Sequence, residues 1–280
     1  GIFQKDSELH KVTDHFKDKG FVFAPFHSDK DTIVIPVNNS IVVKEVFKID
    51  EVEMKVKEFS KESSKCNHEN LVAKGIAAIK NNQFKKVVLS RKEQIEVGEI
   101  DIFETYTKML HSYPNAFVYV WFHPKVGLWF GATPETLLKL QNNRFKTMAL
   151  AGTQAYKEGE NPIWKQKEIE EQQFVTDYIV SKLSDFSTDI ELSKTETVRA
   201  GSLLHLKTDI RGVIDESNER SLFSLVNILH PTPAVCGLPK EAAKQFILKE
   251  EKYDRSYYTG FLGEINMGPI INDSHLFVNL

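Results

Sequence analysis

Two adjacent lysines, Lys85 and Lys86, stand immediately before the apolar run Val87-Val88-Leu89. In an extended strand their side chains point to opposite faces, so one is solvated while the other turns into the sheet. A lysine facing a partly buried cleft loses its charge more readily and can act as a general base near neutrality. Two strand-edge surface lysines would produce the same letters. Glu135 follows Gly131-Ala132-Thr133-Pro134 and so leaves a turn where a strand ends. A carboxyl in an apolar pocket there rises in pKa and becomes a general acid; in the plainer reading it belongs to the acidic first turn of a short helix. Glu168, Glu170 and Glu171 crowd one helix, with Glu168 and Glu171 on one face. One of them can ligate a hard cation such as Mg²⁺, or together they form a solvated acidic face.

Softer candidates surround these. Gly152, between Ala151 and Thr153, frees backbone N–H groups to approach an anion, or simply makes a tight turn. His205 alternates with Leu204 and Leu206 and faces away from their side of its strand. The two prolines of His230-Pro231-Thr232-Pro233 hold an extended segment. Cys66 and Cys236 lie far apart, which offers neither a disulfide framework nor a paired-cysteine metal site and fits a reducing cytoplasm. No GxGxxG, Walker A, HExxH or GxSxG pattern occurs, so nucleotide, zinc-protease and hydrolase readings lack support.

The elements that must position these residues can be read from periodicity. Leu9, Val12 and Phe16 predict a helix over Ser7 to Lys19, followed by strands at Gly20 to Pro25 and Thr32 to Pro36. A helix is expected over Asn67 to Lys80, then a strand that carries Lys86 and continues through the alternation Gln94-Ile95-Glu96-Val97, then a helix from Ile102 to His111. Three successive strands, 116–124, 126–140 and 143–153, read as an antiparallel meander. A helix over Lys165 to Leu183, strands at Glu191 to Arg199 and His205 to Val213, and helices at Leu222 to Leu229 and Lys240 to Lys249 come next. Strands at Tyr258 to Ile265 and Ser274 to Leu280 end the order. The pattern is one α+β domain over residues 1–280, without repeat or linker. The apolar ending, HLFVNL, lacks cap or turn, and predicts that the protein continues past Leu280.

The 280 residues carry 36 Lys+Arg against 39 Asp+Glu, a net charge of −3 with both signs dispersed. That spread argues against a nucleic-acid partner. Neither an apolar leader nor a run of ~18–20 apolar residues occurs, so no membrane association is expected.

Seven segments stand in one order: KKVVLSR at 85–91, GATPE at 131–135, ALAGT at 149–153, KEIEEQQFVTD at 167–177, LLHLKTDIRG at 203–212, HPTPAVCGLPKEAA at 230–243 and YDRSYYTGFLG at 253–263. Together they resemble the chorismate-utilising enzymes, over about Leu71 to Leu280. The resemblance implies antiparallel sheets packed in a sandwich-like core with helices outside. It implies Lys86 as the general base of members that add water, Glu135 as the general acid and Glu171 as a Mg²⁺ ligand. Ala151, Gly152, Thr153, His205, His230 and Thr232 would line the pocket for chorismate. Ala151 stands where aminodeoxychorismate synthases carry a nucleophilic lysine, and HPTPA is similar to the isochorismate synthases. The activity so implied is Mg²⁺-dependent conversion of chorismate to isochorismate, for menaquinone or a siderophore, in the cytoplasm and without a glutaminase subunit. Salicylate synthase, which goes on to eliminate pyruvate, and a non-catalytic chorismate-binding protein are the alternatives. The family continues past such an ending into an arginine, a glycine-rich turn and a second magnesium-binding glutamate.

Overall fold

A computed structural model describes residues 1–12, 16–46, 62–214, 222–269 and 273–280. Its amino-terminal strands are β1 (Ile2–Gln4), β2 (Gly20–Ala24), β3 (Ile33–Pro36) and β4 (Ser40–Val42). Helix α1 (Glu62–Lys80), strand β5 (Lys86–Val87) and helix α2 (Ile102–Ser112) follow. Next come β6 (Phe117–His123), β7 (Gly127–Thr133), β8 (Thr136–Gln141), β9 (Arg144–Ala155) and helix α3 (Gln166–Leu183). Strands β10 (Ile190–Leu192), β11 (Glu196–Ala200) and β12 (Leu203–Val213) precede α4 (Leu222–Leu229), β13 (Gly237–Leu238) and α5 (Lys240–Glu250). The last strands are β14 (Phe261–Ile265) and β15 (Ser274–Val278).

A nine-stranded sheet in the order β10-β12-β9-β8-β15-β14-β2-β3, with β11 also on β12, forms the middle layer. Its pairings are antiparallel. Strand alternation gives the sheet two apolar faces. Val22, Ala149, Ile210, Leu276 and Val278 face α3 and α4, burying Val175, Ile179, Leu225 and Leu229 completely or nearly so. Phe23, Ile33 and Leu262 face the other way, against Tyr119 and Trp121 of the separate β6–β7 hairpin. The expected α+β sandwich is therefore the one observed. No helix among the described residues is long and apolar enough to cross a membrane.

Four sequence expectations change. The described part of 7–19 forms no α-helix: Val12 N–H donates to the Thr32 carbonyl, and the His10 carbonyl accepts from Val34 N–H. Edge pairing onto β3 satisfies that backbone, while Leu9 joins one core and Val12 and Phe16 the other. The strand of Lys86 stops at Val87, and Ile95 and Val97 stay exposed without a ladder, because alternation forms a strand only where another edge is free. The segment 126–140 splits at Pro134, which has no N–H to give to a ladder, so that β7 belongs to the hairpin and β8 to the main sheet. The strand expected over Glu191 to Arg199 is likewise two, β10 and β11.

Candidate active site

Lys86 is buried and Lys85 exposed, as opposite faces of a strand require. The two-residue strand β5 pairs with β13, placing Lys86 opposite Leu238 and Val87 opposite Gly237. Lys86 Nζ lies 2.9 Å from Glu171 Oε1 on α3. Burial pushes the Lys86 pKa below its ordinary value, opposed by Glu171 and then by Glu135 and Cys236.

Glu135 occupies the corner where the chain leaves the hairpin and enters the main sheet, and is only 3% exposed. Its N–H donates to Thr133 Oγ1 at 3.2 Å, and its carbonyl accepts from Val278 N–H at 3.0 Å. Thr232 Oγ1 donates to Glu135 Oε1 at 3.3 Å. Burial raises the Glu135 pKa to about 7, with Thr232 and then Lys86 pulling it back. Burial thus disfavours the charge of both Lys86 and Glu135, and each feels the other's charge, the kind of arrangement that can take a proton at one point and give one at another.

Gly152 is the extra residue of a β-bulge, since Thr153 pairs with His205 and Ala151 with Leu206. Its φ is 72°, and a Cβ there would come 2.9 Å from the Glu168 carbonyl of α3. The bulge turns Thr153 outward, where its Oγ1 lies 3.0 Å from His205 Nδ1. Burial lowers the pKa of His205, with the Gly152 backbone and Glu171 opposing it. Glu168 does not join this group: it closes a capping box with Lys165.

Lys86 thus contacts Glu171, Thr232 contacts Glu135 and Thr153 contacts His205, while the charge of Glu135 is felt at Lys86 and that of Glu171 at His205. Two expected residues serve elsewhere. Ala151 packs into the apolar cluster beneath α3. The His230 ring meets the Pro25 carbonyl at 3.2 Å and stands edge-on to Phe261, and burial pushes its pKa down to about 3. Sequence reading missed Arg255 and Glu251, a buried pair behind Lys86 whose i,i+4 spacing looks like any solvated pair.

A family model described as chorismate binding enzyme matches residues 34–269. The chain belongs to this family of chorismate-binding enzymes. Isochorismate synthase EntC of Escherichia coli is 29% identical over 208 residues, covering 70% of this chain and 52% of that protein. The salicylate biosynthesis isochorismate synthase of Pseudomonas aeruginosa is 28% identical over 201 residues, covering 69% and 42%. The chain spans about half the length of the curated relatives it matches. Among solved structures, the putative 2,3-dihydroxybenzoate-specific isochorismate synthase of Bacillus anthracis matches with a TM-score of 0.75 at 23% identity, over 94% of this chain and 72% of the other. Anthranilate synthase component I of Streptococcus pneumoniae matches with a TM-score of 0.73 at 16% identity, over 99% and 82%. These likenesses bear on the fold of the chorismate-binding enzyme described above.

Among the described residues no three His, Cys, Asp or Glu side chains gather as metal ligands. Glu171 is partly exposed, and a hard cation that binds through a single carboxylate together with substrate and water oxygens fits it.

Proposed function

We propose that this chorismate-binding enzyme converts chorismate to isochorismate. The observation that carries the reading is the buried pair of Lys86 and Glu135, joined by the names of the curated relatives. Unprotonated Lys86 takes a proton from a water as its oxygen bonds to ring carbon two. The ring double bonds shift, the bond to oxygen at ring carbon four breaks, and Glu135 supplies the proton with which that hydroxyl leaves as water. One water enters and one departs, so the mass is unchanged. Exchange with solvent returns the Lys86 and Glu135 protons to their starting places.

Glu171 would hold Mg²⁺, which when bound neutralises charge on the substrate's ring carboxylate. Gly152, Thr153 and His205 border the same region and would orient the substrate, and Thr232 holds the Glu135 carboxyl. We place the reaction in the cytoplasm, without nucleic acid, membrane or glutaminase partner.

Incubating the purified protein with chorismate and Mg²⁺, with a chelator control, tests the proposal by chromatography and mass spectrometry. An isomer of unchanged mass, formed only with metal, is expected. Salicylate with pyruvate would replace it by the salicylate synthase reading, and no turnover would leave a binding protein.

A further inference from the structure

Lys86 and Glu135 hang on different parts of the fold. Lys86 belongs to the two-residue β5–β13 pair, and beyond it residues 88–101 form no helix or strand. Glu135 belongs to the junction between the hairpin and the main sheet. Even with the Lys85 N–H on the Leu238 carbonyl and the Val88 N–H on the Cys236 carbonyl, so short a ladder cannot by itself fix a side chain within the few tenths of an ångström that proton transfer demands.

Arg255 lies where the two parts meet, and all five of its N–H donors are used. Nε and Nη2 reach Glu251 Oε2 and Oε1 at 2.8 and 2.6 Å. Nη2 also donates to the Val88 carbonyl at 2.8 Å, two residues past Lys86. Nη1 donates to the Val235 carbonyl at 3.0 Å, three residues past Thr232, and to Thr259 Oγ1 at 3.1 Å. The Thr259 N–H in turn donates to the Asn279 carbonyl, beside the Val278 whose N–H holds the Glu135 backbone. Glu251 Oε1 accepts from both the N–H and the hydroxyl of Ser90 at 2.9 and 3.1 Å, securing the segment after β5. The Arg255 guanidinium also lies over the Phe26 ring at 4.7 Å.

The side chains of Arg255 and Glu251 are 3% and 1% exposed. Removing both charges from water costs about what their attraction returns, so such a pair is poorly explained as a source of stability. We propose that Arg255, braced by Glu251, is a positioning residue that sets the spacing of Lys86 from Glu135 by tying the β5 end, the Thr232 loop and the Thr259–Asn279 link to one guanidinium. The inference rests on the reading of Lys86 and Glu135 as base and acid.

Arg255→Lys keeps a cation but loses the planar fork that reaches these carbonyls together. Ser90→Ala is the milder variant, decisive should Arg255→Lys fail to fold, and Ser90→Thr keeps the hydroxyl as a rescue control. Isochorismate formation and backbone hydrogen exchange are measured on each. The expected result is a kcat lower by about 10–100-fold in Arg255→Lys and about 3–10-fold in Ser90→Ala, with KM within about twofold. Exchange should quicken at 85–90 and 235–238 while α3 and β9 stay protected, and Ser90→Thr should match the parent. Folded variants with the parent kcat would overturn the proposal. So would exchange that quickens throughout in step with lost activity, the mark of a merely structural role. If the parent does not turn over chorismate, the functional reading fails, and exchange still decides the coupling: local quickening sustains it, unchanged local protection sinks it.

Discussion

Glu135 meets a hydroxyl from Thr232 and only the more distant charge of Lys86, so its ionised form is penalised while its neutral form is comfortable. Below its ordinary value of 4.5 the carboxyl is neutral whether the chain is folded or not, and burial carries no ionic cost. Between 4.5 and about 7 the unfolded chain gains from ionising while the folded one does not, and above about 7 both ionise and the accumulated penalty stays constant. Glu135→Gln should therefore be more stable than the parent at pH 8 by about 2–3 kcal/mol, with the difference fading towards pH 4.5, measured by urea unfolding across pH. The same variant, and Lys86→Ala, should lose about 10²–10⁴-fold in turnover with the fold retained, since each removes one end of the proposed proton transfer. The proposed reaction needs Glu135 protonated, so kcat/KM should fall above about pH 7 as Glu135 ionises. A flat profile through that value would remove Glu135 from the reaction. Glu171→Gln should weaken the dependence of rate on Mg²⁺ while the chain stays folded; a metal titration checks it.

Short elements place these groups, and their backbones tolerate little. At Gly237, with φ at 146°, a Cβ would fall 2.2 Å from the Lys86 carbonyl and 2.6 Å from Ala243 Cβ. Strand β13 can lie against β5 and α5 together only because that atom is missing. Gly237→Ala should therefore part the ladder that carries Lys86, costing about 1–3 kcal/mol of stability and most of the turnover, read from thermal unfolding and kinetics on one preparation. The α3 helix, by contrast, is anchored along its length by Val175, Ile179 and Leu183 in the core, so Glu171 is presented by a rigid element. Lys240 steadies the loop before Thr232 by donating to the carbonyls of Asn227, Ile228 and His230 at the end of α4.

Across the whole molecule, three layers converge at Glu135. Helices α3 and α4 cover one face of the sheet, the β6–β7 hairpin covers the other, and Glu135 lies where the chain passes from hairpin to sheet. Tyr119 of the hairpin donates its hydroxyl to Asn279 Oδ1, and Asn279 Nδ2 donates to the Tyr257 carbonyl at 2.8 Å. Tyr119→Phe should leave a buried acceptor unpaired and cost about 1–2 kcal/mol in urea unfolding, a loss shared by the hairpin and the sheet it is tied to.

Much of this was legible in the letters. Period-two and period-3.6 patterns recovered most strands and helices, and the order of the seven segments singled out Lys86, Glu135 and Glu171. Adjacent Lys85 and Lys86 had to face opposite ways, because a strand allows nothing else. Periodicity could not say which edges would be occupied, so Val12 joined β3 while Ile95 and Val97 joined nothing. Nor could it tell that His230 would turn to Pro25, that Ala151 would sink into the core, or that Glu251 and Arg255 would be buried. Those outcomes depend on contacts between residues far apart in the chain, whose burial and partners exist only once the layers have closed. The kinds of group needed for the chemistry are a property of the sequence. Their ionisation states follow from desolvation and proximity, and only the tertiary structure supplies either.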